Sequence, residues 1–91
     1  MTAASKNMTE AELDRIEQLC NAATPGPWKS FIEGRDHESG SSFIRTMGPD
    51  IELSGASDSD QDFIASARQD VIDLVAEVRR LRAELGSVCR E

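Results

Sequence analysis

Three observations predict an α+β fold. The chain opens with a capped amphipathic stretch, continues through short apolar runs broken by glycine and polar clusters, and closes on a long seven-residue repeat. The expected architecture is an N-terminal helix, a small antiparallel three-strand meander and a long C-terminal helix with coiled-coil heptads. Its 91 residues allow one domain. The chain divides into a disordered tail at 1–8 and a single α+β domain at 9–91, whose C-terminal helix, about 58–88, is an oligomerisation element.

The first helix has a sharp start. Thr9 followed by Glu12 forms a capping box, each side chain satisfying the other's free backbone N–H, and Met8 and Leu13 occupy the two positions of a hydrophobic staple. Leu13, Ile16, Cys20 and Ala23 then recur at helical spacing, with Leu19 beside them, as one apolar stripe. Thr24-Pro25-Gly26-Pro27 ends the helix, because proline lacks an N–H and disfavours helix at the residue before it. Trp28, closing this turn, is expected to anchor helix one against the sheet.

From Trp28 to Gly55 the apolar residues come in short runs: Phe31-Ile32, Phe43-Ile44, Met47, then Ile51 and Leu53. The segment from Gly34 to Gly40 and the Gly48-Pro49-Asp50 turn interrupt them. Two strands joined by a glycine-bounded loop, then a tight turn into a third short strand, fit this pattern.

Ser57-Asp58-Ser59-Asp60 is an N-cap cluster whose acids favour the positive end of a helix dipole. Behind it, Ile64, Ala67, Val71, Leu74, Val78, Leu81, Leu85 and Val88 alternate steps of three and four without a break. A strict heptad is the period of a left-handed coiled coil. With Ile64 at position a, the a residues are Ile, Val, Val, Leu and the d residues Ala, Leu, Leu, Val, a choice that favours two strands. Glu77 at g is placed to meet Arg82 at e of a parallel partner. Helix one, about half as long, and the small sheet are expected to cover the first half of helix two, near Phe63 to Val75, and to leave Val78 to Val88 bare. The expected homodimer interface is therefore Val71, Leu74, Val78, Leu81, Leu85 and Val88, since such a stripe is not left in water by a small monomer.

The composition narrows the partners. Asp and Glu number 17 against 10 Lys and Arg, for a net charge of −7, which argues against nucleic-acid phosphates and anionic membranes. No apolar run approaches the ~18 residues that span a bilayer, and no apolar signal core opens the chain, so a cytoplasmic protein is expected. Cys20 and Cys89 form no metal-binding or redox motif, and reduced thiols fit that compartment. Asp50, Glu52, Asp58, Asp60, Asp62 and Asp70 give the middle an acidic side suited to a basic partner surface. Arg79, Arg80 and Arg82 read as a solvated coiled-coil flank.

Few residues suggest chemistry. Asp58, Asp60 and Asp62 alternate like the start of a calcium loop, but Phe63 and Gln69 stand where that loop needs Gly and Glu. His37, flanked by Asp36 and Glu38, has no converging serine nucleophile and too few companions for a metal. No catalytic residue, metal or cofactor is assigned. The loop reads better as a contact for a small anionic ligand, a nucleotide or similar. Arg35 would supply a planar fork, and His37, Ser39, Ser41 and Ser42 further polar contacts.

Ala22-Ala23-Thr24-Pro25-Gly26-Pro27-Trp28, then Asp62-Phe63-Ile64-Ala65-Ser66-Ala67-Arg68, then an Arg/Glu-rich helix from Leu74 to Leu85, resemble the Ea22-like family of small phage and prophage proteins and similar actinobacterial proteins. The resemblance covers roughly residues 9–85, with its specificity in the TPGPW turn and the DFIAxAR stretch. It implies a non-enzymatic phage accessory protein in the host cytoplasm, acting by binding, with a host protein as a possible partner. The alternative from the residues themselves is a small-ligand-sequestering protein using the 34–42 loop.

Overall fold

A computed structural model describes residues 7–89, with side chains through Gly86. The order is α1 (Glu10–Ala22), β1 (Lys29–Phe31), β2 (Phe43–Arg45) and α2 (Asp58–Cys89). Residues 1–6 of the expected tail and the side chain of Val88 lie outside the described residues. Met8, also assigned to the tail, packs beside α1, and its carbonyl accepts a bond from Arg82.

The capping box at α1 is present in full: Thr9 Oγ1 accepts from the Glu12 N–H at 3.1 Å, and Glu12 Oε1 from the Thr9 N–H at 2.8 Å. At α2 the same reciprocal pair uses Ser57 and Asp60, at 3.0 and 3.1 Å. The TPGPW turn closes on Thr24, whose carbonyl accepts both Trp28 Nε1–H at 2.9 Å and Arg68 Nε–H at 3.1 Å. With the Arg68 guanidinium 6.0 Å from the Trp28 ring, this joint ties the end of α1 to α2.

The middle corrects the expected meander. The sheet has two antiparallel strands, in register Lys29↔Arg45, Ser30↔Ile44 and Phe31↔Phe43. The third strand shrinks to a single antiparallel bridge between Ile44 and Ile51. The Gly48-Pro49 turn sets this limit. Thr46 Oγ1 donates to the Pro49 carbonyl and accepts from the Gly48 N–H, and the Met47 N–H bonds to the Pro25 carbonyl, so the chain turns away toward α1 instead of pairing. Gly48 sits so close to Thr24 that a Cβ there would lie 3.0 Å from its methyl group.

The core is small. Leu13, Ile32, Ile44, Ala65 and Val75 are its buried apolar residues, with Ile44 fully enclosed. Gln61, also buried, reaches from α2 across the hairpin: Nε2 donates to Ser30 Oγ at 2.9 Å and to the Phe43 and Phe31 carbonyls at 3.0 and 3.3 Å. One amide thus fixes both strands to the helix.

The face of α2 turned toward the rest of the chain is not the heptad stripe. The inward row is Gln61, Ala65, Arg68, Ile72, Val75, Arg79 and Arg82, all buried or half-buried. It lies one residue on from the a and d positions, a rotation of about 100°. Phe63, expected to be covered, is 73% exposed. In the other direction α1 reaches further along α2 than expected. Arg79 bonds Glu10, Asp14 and Glu17, and Arg82 bonds Glu10. These two arginines are inter-helix ties rather than a solvated flank, and Glu77 pairs with Arg80 of its own helix.

Candidate functional site

Two surfaces answer to the sequence expectations. The first is the a/d stripe. Leu74, Leu81 and Leu85 are 62%, 48% and 64% exposed, and Ile64 is exposed beside Phe63. Val71 and Val78 are half-buried, because Met8, Leu13 and Ile16 cover one flank. Between these residues runs an apolar depression of about 210 Å³, joined at Ile16 and Val71 to a second of about 280 Å³ that extends past Leu19 and Ala67 to Trp28. α1 thus walls one side of a groove whose floor is the heptad stripe and whose other side is open. On the open side Glu77 and Glu84 both pair with Arg80, at 2.6 Å each, so that flank keeps one excess negative charge. Arg80 holds the Glu77 carboxyl below its ordinary range.

The second surface is the 34–42 loop. Gly34 and Gly40 have φ of 87° and 96°, the left-handed region that side chains with a Cβ resist, so the loop turns where the sequence marked it. Asp36 closes the first turn by accepting the Ile32 N–H at 2.9 Å. Arg35 does not face a ligand space. Its guanidinium grips Asp62 of α2 through two bonds of 2.9 and 3.0 Å and Asp36 through two more. That double grip lowers the Asp62 carboxyl to about 2, with a Ser30 hydroxyl bond as a second cause, and raises Arg35 above its already high value. Arg35 is a clasp between loop and helix.

The other expected contacts divide. Ser42 Oγ accepts the Glu33 N–H at 3.1 Å and stays within the loop. His37, Ser39 and Ser41 line a common cleft of about 360 Å³, together with Phe31, Phe43, Arg45, Asp50 and Glu52. His37 Nδ1 lies 2.7 Å from the Ser39 carbonyl, which can only accept, so Nδ1 carries a proton, and Nε2 is buried with no hydrogen-bond partner among the described residues. Phe31 and Phe43 stack at 5.2 Å, and His37 leans on Phe43 at 5.6 Å.

Sequence reading missed Lys29 and Arg45, which share the outer face of the hairpin with the two phenylalanines. The period-2 pattern Lys-Ser-Phe and Phe-Ile-Arg placed all four on one face once the register was known. The three acids resembling a calcium loop have separate roles: Asp58 opens α2, Asp60 caps it and Asp62 holds Arg35. Among the described residues, no group of three or more His, Cys, Asp and Glu is placed to hold a metal ion, and no helix is long and apolar enough to cross a membrane.

No family model, curated protein or solved structure matches this chain.

Proposed function

We propose that the protein is a small, non-enzymatic binding protein that self-associates through the a/d face of α2. One observation carries the reading: α2 packs its own domain with the mixed row through Gln61, Arg68 and Arg79, and leaves Ile64, Leu74, Leu81 and Leu85 of its more apolar row exposed. A lone chain gains by the opposite rotation, which would bury Leu74 and Leu81 at on the order of 1–2 kcal/mol each. Packing the mixed row inward leaves that exposed apolar area available to a partner. Ile, Val and Val at a with Leu at d suit a second copy of the same helix, seated in the open-sided groove beside α1.

The phage-type accessory role implied by the TPGPW and DFIAxAR stretches belongs to the same proposal, with a host protein as the object of binding and the host cytoplasm as the compartment. The acidic side of the middle segment offers the contact for a basic partner surface. Native mass spectrometry of the full chain tests self-association. The protein has a mass of 10.0 kDa. A species of about 20 kDa is expected, with Leu81→Glu giving monomers because a charge replaces a central d residue. A wild-type monomer, or a dimer that persists in Leu81→Glu, would refute this interface.

A further inference from the structure

The outer face of the hairpin carries an arrangement that packing does not require. Lys29 and Arg45 stand directly opposite each other in the strand register, a like-charge pair that costs stability. No carboxylate of the described residues lies within 4.0 Å of either, although the chain has a large acidic excess; each is held only over aromatic rings. Arg45 lies 4.9 Å from the Phe31 centroid and Lys29 5.6 Å from it. Arg35, Arg79, Arg80 and Arg82 show the contrast, each engaging at least one carboxylate, while Arg68 is bonded to the Thr24 carbonyl.

Beside these cations lies the cleft of about 360 Å³, within the range of small-molecule sites. Its chemistry has two ends. Arg45 in the lining, with its strand partner Lys29 just outside it, supplies positive charge over an aromatic platform, while Asp50 and Glu52 supply acceptors and Asp36, also in the lining, is already paired with Arg35. The Ile44–Ile51 bridge sets those two acids alongside Arg45 and Phe43. A bare anion satisfies the first end and is repelled by the second. A ligand with an anionic group, a planar ring and N–H or O–H donors satisfies both.

We infer that this cleft binds a nucleoside monophosphate, its phosphate at Lys29 and Arg45, its base against Phe31 and Phe43, and its amino or hydroxyl donors toward Asp50 and Glu52. Base–aromatic stacking combined with a neighbouring guanidinium is a general mode of nucleotide capture. The site shares His37, Ser39 and Ser41 with the one expected around Arg35 but leaves out Arg35, whose guanidinium is held by Asp36 and Asp62. It does not rest on self-association, which is read from mass, whereas this site is read from the hairpin's own signals.

The test is titration of the ¹⁵N-labelled full chain with AMP, with adenosine and inorganic phosphate in parallel, followed by backbone amide NMR. Saturable shifts are expected within residues 29–31, 37–45 and 50–52, with adenosine and phosphate each weaker than AMP by about tenfold or more. Arg45→Ala and, separately, Lys29→Ala should each weaken AMP by a similar factor while the rest of the spectrum stays in place, which shows the variant folded. The two exposed positions provide independent variants if one disturbs the hairpin. Absence of saturable shifts at millimolar AMP, equal binding of inorganic phosphate, or unchanged AMP affinity in both variants would overturn the assignment.

Discussion

At the level of a single residue, Gln61 joins α2 to both strands through one buried amide. Its amide has two hydrogens for three acceptors, a Ser30 hydroxyl and two strand carbonyls. Gln61→Leu keeps the bulk but removes all the bonds that tie the hairpin to α2 at this point, and a loss of about 1–3 kcal/mol is expected in urea unfolding. Arg35 and Asp62 make a different kind of contribution. Asp62 titrates near 2 in the folded chain against an ordinary 3.8. The clasp therefore contributes fully above 3.8 and is lost as pH falls toward about 2. Thermal melts of wild type and Asp62→Asn should differ near neutral pH and converge in acid. Both side chains are substantially exposed, so the difference is small. Residue identity alone did not disclose either role: Arg35 read as a fork for a ligand and Gln61 carried no signal, because their partners on other elements lie 18 or more positions away.

Among the elements, helix ends were legible and strand ends were not. Thr9 and Ser57 act through neighbours three residues on, so their chemistry is complete within a short window of sequence. The third strand failed because its extent depends on the Gly48 turn docking against Thr24 and Pro25, a contact between distant segments. The heptad repeat fixed which row of α2 is apolar, but not which row faces α1. Long side chains decide that. Arg68, Arg79 and Arg82 turn aliphatic stems toward the domain while their heads find carbonyls and carboxylates on the TPGPW turn and α1. The strands themselves depend on Ile44, which is fully enclosed and pairs with both Ser30 and Ile51. Ile44→Ala should cost about 2–5 kcal/mol, enough in so small a core to abolish cooperative melting by circular dichroism.

The whole molecule is elongated, 60 × 33 × 19 Å, with a radius of gyration of 17.4 Å. A compact chain of this length has about 12 Å. The excess comes from α2, whose 32 residues span about 48 Å and outrun everything packed on them. The same overhang that leaves Leu81 and Leu85 bare gives the proposed dimer a shared central element. If Leu81→Glu yields folded monomers, small-angle scattering should return a radius close to 17.4 Å. A value near that of a compact chain would mean that α2 folds back on its own domain when unpaired.

The joint at Thr24 has a practical consequence. Trp28 is the chain's sole tryptophan and there is no tyrosine, so one indole supplies nearly all the near-ultraviolet signal. That indole is held by the end of α1 through its N–H and by α2 through Arg68. Its emission is therefore a built-in gauge of whether the two helices remain clasped. Because Trp28 lies in the helical groove and not in the hairpin cleft, the gauge responds to unfolding and to a helical partner.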